Sequence, residues 1–225
     1  MIERLRRRIL GLDGHALDVT RARLRMRAHP VVLECGANDG TDSNRFLARW
    51  PGAEVHCFEP EPRAAERWRA NVVSDRARLH EVAIGERDGE ATFHRSSGHH
   101  PDGNGPWDQS GSLRRPTGHL ERWTWVTFTE TLTVATRSLD SWAADHGIGA
   151  VDLVWADVQG AEGDLVRGGA ATLARTRYLY VETSDEGLYE GQARFADLLA
   201  ALPGWRVMAR FPDDALLRNP RWDRG

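Results

Sequence analysis

The chain has 225 residues, enough for one α/β domain with a buried core. Its formal net charge of −3 carries no bulk basicity of the kind that marks a nucleic-acid-binding protein. All 30 basic residues are arginine, which removes Schiff-base chemistry, pyridoxal phosphate attachment and a phosphate-loop lysine.

Residues 1–29 precede the first sheet element. Ile2, Leu5, Ile9 and Leu12 recur at helical spacing with Arg4, Arg6, Arg7 and Arg8 between them, which predicts an amphipathic helix with a solvated basic face. Arg21, Arg23, Arg25 and Arg27 form a second basic group. A lid over a ligand, or a basic contact surface, is the functional alternative for this segment. Val31-Val-Leu-Glu-Cys35 reads as a buried parallel strand, and Gly36 and Gly40 as a turn lying close to something that side chains would block. Thr41, Asp42 and Ser43 are N-cap candidates for a helix carrying Phe46, Leu47 and Trp50, which stops before Pro51. The second strand, Glu54 to Glu59, ends in an acid 19 residues after Gly40, where the ribose-binding acid of a nucleotide-binding βαβ unit belongs.

A dinucleotide does not suit this unit. Position 38 is Asn where G-x-G-x-x-G needs the glycine that admits a pyrophosphate, and no G-x-x-x-x-G-K phosphate loop occurs. Glu34 and Asp39 flank the turn instead, and carboxylates repel phosphate but suit a cation. S-adenosylmethionine, with a ribose, an adenine, an ammonium, a sulfonium and no phosphate, fits that chemistry. An α/β turn with no ligand is the alternative.

Pro62 opens a helix over 62–73 that buries Ala65, Trp68 and Val72. Leu79 to Ile84 reads as the third strand and Glu90 to Arg95 as a short one. Residues 96–119, rich in Gly, Pro, Ser and His around Trp107, read as a long substrate-facing loop, with a disordered insertion as the alternative. Adjacent His99 and His100 rarely converge on one ion, so solvated histidines are expected there. Leu132 to Arg137 is a strand, and Ser138 caps a helix that stops at Gly147. Val151 to Ala156 is an apolar strand ending in Asp157. A helix starts at Gly160 and Ala161, with Leu165 and Val166 facing inward. Tyr178 to Val181 is a strand ending in Glu182, and Ala193 to Leu202 a helix. Trp205 to Phe211 and Ala215 to Leu217 are the last strands. Strands alternating with helices predict a parallel sheet covered on both faces.

Several stretches, taken together and in order, resemble one family: Glu34-Cys-Gly-Ala-Asn-Asp-Gly40, Phe58-Glu-Pro60, Val82-Ala-Ile-Gly85, Ser110-Gly-Ser-Leu113, Ser138-Leu-Asp140 and Val151-Asp-Leu-Val-Trp-Ala-Asp-Val-Gln-Gly-Ala-Glu162. The chain is similar to the FkbM-type methyltransferases, within the class I S-adenosylmethionine-dependent methyltransferases, between residues 30 and 211. The resemblance implies a Rossmann-like α/β sandwich. Its sheet would be mostly parallel and seven-stranded, with an antiparallel C-terminal strand and helices on both faces. It implies a single domain over 1–225, with a helical segment at 1–29 and a substrate-facing insertion at 96–130. Cofactor contacts would come from Glu34, Gly36, Ala37, Asn38, Asp39, Gly40, Glu59, Pro60, Ala83, Ser112 and Asp157, with Ser110 close by. The implied activity is O-methylation of a small-molecule hydroxyl, on a sugar or another specialised metabolite. Gln159 is a departure, since the resembled family usually carries Glu there.

Glu59, Asp157 and Glu182 end strands, and Glu34 and Asp39 flank the first turn. Acids gathered on one edge repel one another unless something cationic or hydrogen-bonding sits among them. An N-cap or a solvated loop position is the plain alternative for each acid taken singly. A hydroxyl nucleophile must lose its proton, so Asp157 is the first catalytic candidate, Glu182 the second and His119 a weaker third. Mg²⁺ could be held by such acids, but three sequence-distant acids do not establish a metal site, and none is predicted. A nucleic-acid methyltransferase is the second reading, supported only by the Arg-rich N-terminus, because the fourth strand is followed by Asp157-Val-Gln-Gly160 and not by an Asn/Asp-Pro-Pro-aromatic motif. A NAD-dependent oxidoreductase is disfavoured by Asn38. Cys35 and Cys57, both on predicted buried strands, read as free thiols. No run approaches the ~18 apolar residues of a membrane helix, and the basic N-terminus lacks a continuous apolar core, so the expected location is cytoplasmic. The sequence carries no statement of oligomeric state.

Overall fold

The computed structural model describes residues 24–102 and 106–224. The expected helix around Ile2 to Leu12, and Arg21 and Arg23, lie outside them. In chain order the elements are β1 (Val31–Cys35), α1 (Thr41–Arg49), β2 (Glu54–Phe58), α2 (Pro62–Asn71), β3 (Ala77–His80), β4 (Ala83–Gly85), β5 (Gly89–Gly98), α3 (Gly118–Arg122), β6 (Val126–Ser138) and α4 (Leu139–Asp145). Then follow β7 (Val151–Ala156), α5 (Glu162–Gly168), α6 (Ala170–Ala174), β8 (Thr176–Glu182), α7 (Phe195–Ala200), β9 (Arg206–Arg210), β10 (Asp214–Arg218) and a 3₁₀ turn, Pro220–Arg224.

Seven strands form one sheet in the order β3-β2-β1-β7-β8-β10-β9, parallel except for β10, which runs antiparallel to both its neighbours. Alternation along each strand builds two cores. Leu33, Cys35, Val154, Ala156, Leu179, Val181 and Leu217 pack on one face with α4, α5, α6 and α7, through Trp142, Leu165, Leu173 and Leu198. Val32, Val55, Cys57, Leu153, Trp155, Tyr178 and Leu216 pack on the other with α1 and α2, through Phe46, Leu47, Trp68 and Val72. Because both faces are covered, β7 is buried at every residue and is apolar except for Asp152. Cys35 and Cys57 are free and buried.

The chain runs outward through β1, β2 and β3, then returns to the other side of β1 for β7 and β8. That reversal puts a topological switch point between the carboxyl ends of β1 and β7, where ligands bind in open α/β sheets. At the opposite end, Arg27 closes the chain entry. Its guanidinium donates to the fully buried Asp152 at 2.6 and 2.9 Å, and the Val31 N–H joins at 3.0 Å.

The structure corrects several expectations. Residues 24–29 carry no helix, and Arg27 is ion-paired rather than part of a solvated basic face. The N-cap of α1 is Gly40, with φ +80° and no side-chain cap, and Thr41, Asp42 and Ser43 lie inside the helix. Leu79 to Ile84 is not one strand: β3 ends at His80, and β4 belongs to a second sheet of order β4-β6-β5. Residues 96–130 begin inside β5 and end inside β6, both longer than their short apolar patterns suggested. Between them the chain is stitched in by bridges His94 to Ser112, His99 to Pro106 and Pro116 to Tyr189, and by α3. Ser138 caps α4 as expected, accepting from the Ser141 N–H at 3.1 Å.

Candidate functional site

The glycine turn after β1 is wedged between two strand ends. Gly36 and Ala37 donate their N–H groups to the Phe58 carbonyl at 3.0 Å each, and Asp157 donates to the Cys35 carbonyl at 2.9 Å. Gly36 has φ +89°, and a Cβ there would lie 1.9 Å from the Asp157 carbonyl oxygen. The close approach expected at Gly36 is therefore to the protein's own backbone. Gly40 is likewise a packing glycine, its Cβ position 2.3 Å from Val72 Cγ2, and it does not line the cavity described next.

Above this turn lies a cavity of about 380 Å³, within the range of small-molecule sites. Its lining includes eleven Asp or Glu residues and two arginines, Arg45 and Arg122. Among the expected residues, Glu34, Gly36, Ala37, Asn38, Asp39, Glu59, Pro60, Ala83, Ser110, Asp157 and Glu182 all contribute to it. Ser112 does not: its hydroxyl donates to the Gln159 carbonyl at 2.6 Å and accepts from the Arg114 N–H at 2.8 Å.

Glu59 is held by two backbone donors, Asn38 N–H to Oε2 at 2.8 Å and Glu61 N–H to Oε1 at 2.9 Å. Burial nevertheless lifts its carboxyl to about 7, against those hydrogen bonds. Glu34 is buried beneath the turn and accepts from the Ser43 hydroxyl, which in turn accepts from the Trp68 indole N–H at 2.9 Å. Burial, reinforced by the Asp42 charge, lifts Glu34 to about 8. Glu162 is fixed behind the β7 loop, accepting from Val158 and Gly160, and burial lifts it to about 7.

Gln159 organises the far wall. Its Nε2 donates to Asp157 Oδ1 at 2.5 Å and to Glu182 Oε2 at 2.7 Å, while its Oε1 meets the Tyr189 hydroxyl at 2.9 Å. The reverse amide orientation would face a carbonyl oxygen toward two carboxylates, so the partners fix it. The residue sits at φ +53°, a left-handed position rare for a non-glycine residue and typical of functional loops. Gly160 follows because a Cβ would lie 2.8 Å from the Tyr189 ring.

An aromatic wall completes the cavity with Trp107, Trp123, Trp125, His100, His119 and Tyr189. His119 is buried among Trp123, Phe128 and Tyr189, and its Nδ1 meets no partner among the described residues. Burial lowers it to about 4, which keeps the imidazole neutral near pH 7. Asp213 and Asp214 enter from the β9–β10 hairpin. The sequence reading missed Gln159 as a hub, Tyr189 and this hairpin. The φ of residue 159 and the far-separated partners leave no local pattern, and only the departure from Glu at 159 marked the spot. Among the described residues no three His, Cys, Asp or Glu side chains are grouped as metal ligands, and no helix is long and apolar enough to cross a membrane.

A model of the methyltransferase FkbM domain matches residues 34–208. A 2-O-methyltransferase NoeI of Sinorhizobium fredii (strain NBRC 101917 / NGR234) is 48% identical over 198 residues, covering 85% of this chain and 80% of that protein. A SAM-dependent methyltransferase structure from Anabaena variabilis ATCC 29413 superposes with a TM-score of 0.50 at 8% identity, over 91% of this chain and 83% of that one. At that identity the likeness shows the fold alone.

Proposed function

Because the chain belongs to the FkbM methyltransferase family, we propose that it moves the methyl group of S-adenosylmethionine to a hydroxyl of a small-molecule acceptor. The observation that carries this reading is the acid-rich cavity at the switch point, with Glu59 on the β2 side and the Asp157–Gln159–Glu182 cluster on the β7–β8 side. The donor set fits the cofactor: carboxylates for ribose hydroxyls and cationic groups, and no phosphate cradle.

When bound, S-adenosylmethionine supplies a methyl group on a cationic sulfur, already activated for displacement. The protein must then hold the acceptor in line and exclude water. Glu59 takes the ribose hydroxyls, its carboxylate pre-oriented by Asn38 and Glu61. Val82, Ala83 and Ile84 give an apolar surface for the adenine. Asp157 accepts the acceptor's proton or orients its hydroxyl. Glu182 lies on the same amide and supports it. Trp107, Trp123 and Trp125 form the wall against which the acceptor packs. Eleven acids against two arginines favour a neutral or cationic acceptor over a phosphate backbone. No metal is assigned a role.

Labelled S-adenosylmethionine, screened against neutral hydroxyl compounds with chelator and Mg²⁺ arms, tests the reading. A thermal-shift series with S-adenosylmethionine, S-adenosylhomocysteine, NAD and NADP runs beside it. Stabilisation by the two adenosyl-sulfur compounds and label in a hydroxyl product are expected. Stabilisation by NAD alone would overturn it.

A further inference from the structure

S-adenosylmethionine also has an amino-acid end, a carboxylate and an ammonium on one carbon. We propose that Asp42 and Arg45, one turn apart on α1, clamp this zwitterion, the guanidinium taking the carboxylate and the Asp42 carboxylate the ammonium. The inference rests on the reading of the cavity as the S-adenosylmethionine site.

Both residues line the cavity beside the glycine turn. They form an ion pair, Arg45 Nη1 to Asp42 Oδ1 at 2.7 Å, with the side chains 38% and 30% exposed. A guanidinium has five N–H donors in a planar fork, and Asp42 engages it through Nη1. Among the described residues no other acceptor meets it, so it is free to grip a carboxylate through two parallel bonds. A zwitterion presents one charge of each sign at short range, and this pair offers the complement of both.

The rest of the cavity leaves few alternatives for the anionic group. The chain has no lysine, and the other lining arginine, Arg122, is on α3, ion-paired to Glu186 and close to the Trp123 ring. Acids dominate elsewhere in the lining and would repel a carboxylate. The ammonium has the opposite preference. Asp42 lies within electrostatic reach of Asp39 and Asp157, and Glu34 feels the Asp42 charge. A cation beside Asp42 would also have the carboxylates of Asp39 and Asp157 near it.

The test measures binding by titration calorimetry, with no need for an acceptor. The probes are S-adenosylmethionine, S-adenosylhomocysteine, decarboxylated S-adenosylmethionine and 5′-methylthioadenosine, which lacks the amino-acid end. Arg45→Gln should weaken the first two by roughly 10- to 100-fold and leave the last two within about twofold. Asp42→Asn should weaken all three ammonium-bearing probes and spare 5′-methylthioadenosine. An Arg45→Gln protein that keeps its affinity for S-adenosylhomocysteine would overturn the clamp, as would a loss equal across all four probes, which marks a merely structural role. A parent protein that binds none of the probes would instead overturn the cofactor reading, and the clamp with it.

Discussion

Replacing Glu59 by Gln turns one of two carboxylate oxygens into an NH₂ group. In the parent each oxygen already faces a backbone donor, Asn38 N–H at 2.8 Å and Glu61 N–H at 2.9 Å. Whichever way the amide turns, an NH₂ is set against a backbone N–H. One charge-assisted hydrogen bond is then lost, about 1.5–3 kcal/mol. If the carboxylate also takes the ribose hydroxyls, cofactor affinity falls by roughly 10- to 150-fold. The size of this gap must follow the ionisation of Glu59. Burial raises the carboxyl from 4.5 to about 7, so the free parent takes up a proton as pH falls through that value. A neutral carboxyl resembles the amide. The parent should therefore outbind Glu59→Gln at about pH 8.5, and the two should converge near about pH 5.5. Titration calorimetry with S-adenosylhomocysteine, whose sulfur is neutral, reads this directly, and urea unfolding at each pH separates any loss of fold. Equal affinities at the higher pH, or a gap as wide at the lower, would refute the assignment of Glu59.

Gly36→Ala should fail to fold stably. Its Cβ meets the Asp157 carbonyl at 1.9 Å on a φ of +89°, and backbone cannot yield as a side chain can; an expressed protein with parental melting temperature would contradict the turn geometry. Asp157→Asn should retain cofactor affinity while single-turnover methyl transfer slows by ~10²–10⁴-fold; turnover at the parent rate would shift the role to Glu182. Replacing residues 96–119 with a short Gly-Ser linker should abolish turnover and also lower thermal stability, because Ser112, Pro116 and the Arg114–Asp164 ion pair tie the segment to Gln159, Tyr189 and α5; a fully stable, active shortened protein would make it a passive insertion. Burial lowers His56 and His80 to about 4 from 6.5. The folded state therefore resists their protonation, and stability is lost as pH falls from 6.5 toward 4. Buried Glu34, Glu59 and Glu162 act in the opposite sense, so the comparison is between parent and His56→Phe/His80→Phe. The double variant should lose less stability on acidification in chemical denaturation; parallel curves would show the pair to be uninvolved.

Much of this protein follows from local pattern alone. A short run that is apolar at all but one position, such as Val151 to Ala156 with its single Asp152, suits a strand covered on both faces. The positions of the turn at Gly36, the strand-ending acid Glu59 and the cap at Ser138 show in the residues beside them, so they were legible in order along the chain. The sequence by itself therefore determined the parallel sheet, the two-faced core and the edge on which the acids gather. It did not determine what each residue there touches. Gly36 is glycine because of Asp157, more than a hundred residues later. Ser112 serves the Gln159 carbonyl and not the cavity. Gln159 ties Asp157, Glu182 and Tyr189 through contacts that span up to 30 residues. The split of Leu79 to Ile84 between two sheets, and the anchoring of the 96–119 segment, were also decided late. Their strand partners, β2, β6 and Tyr189, lie elsewhere in the chain. Hydrogen-bond and steric partners of this kind are chosen by which chain ends the sheet brings side by side, and periodicity within a strand carries no record of its neighbour.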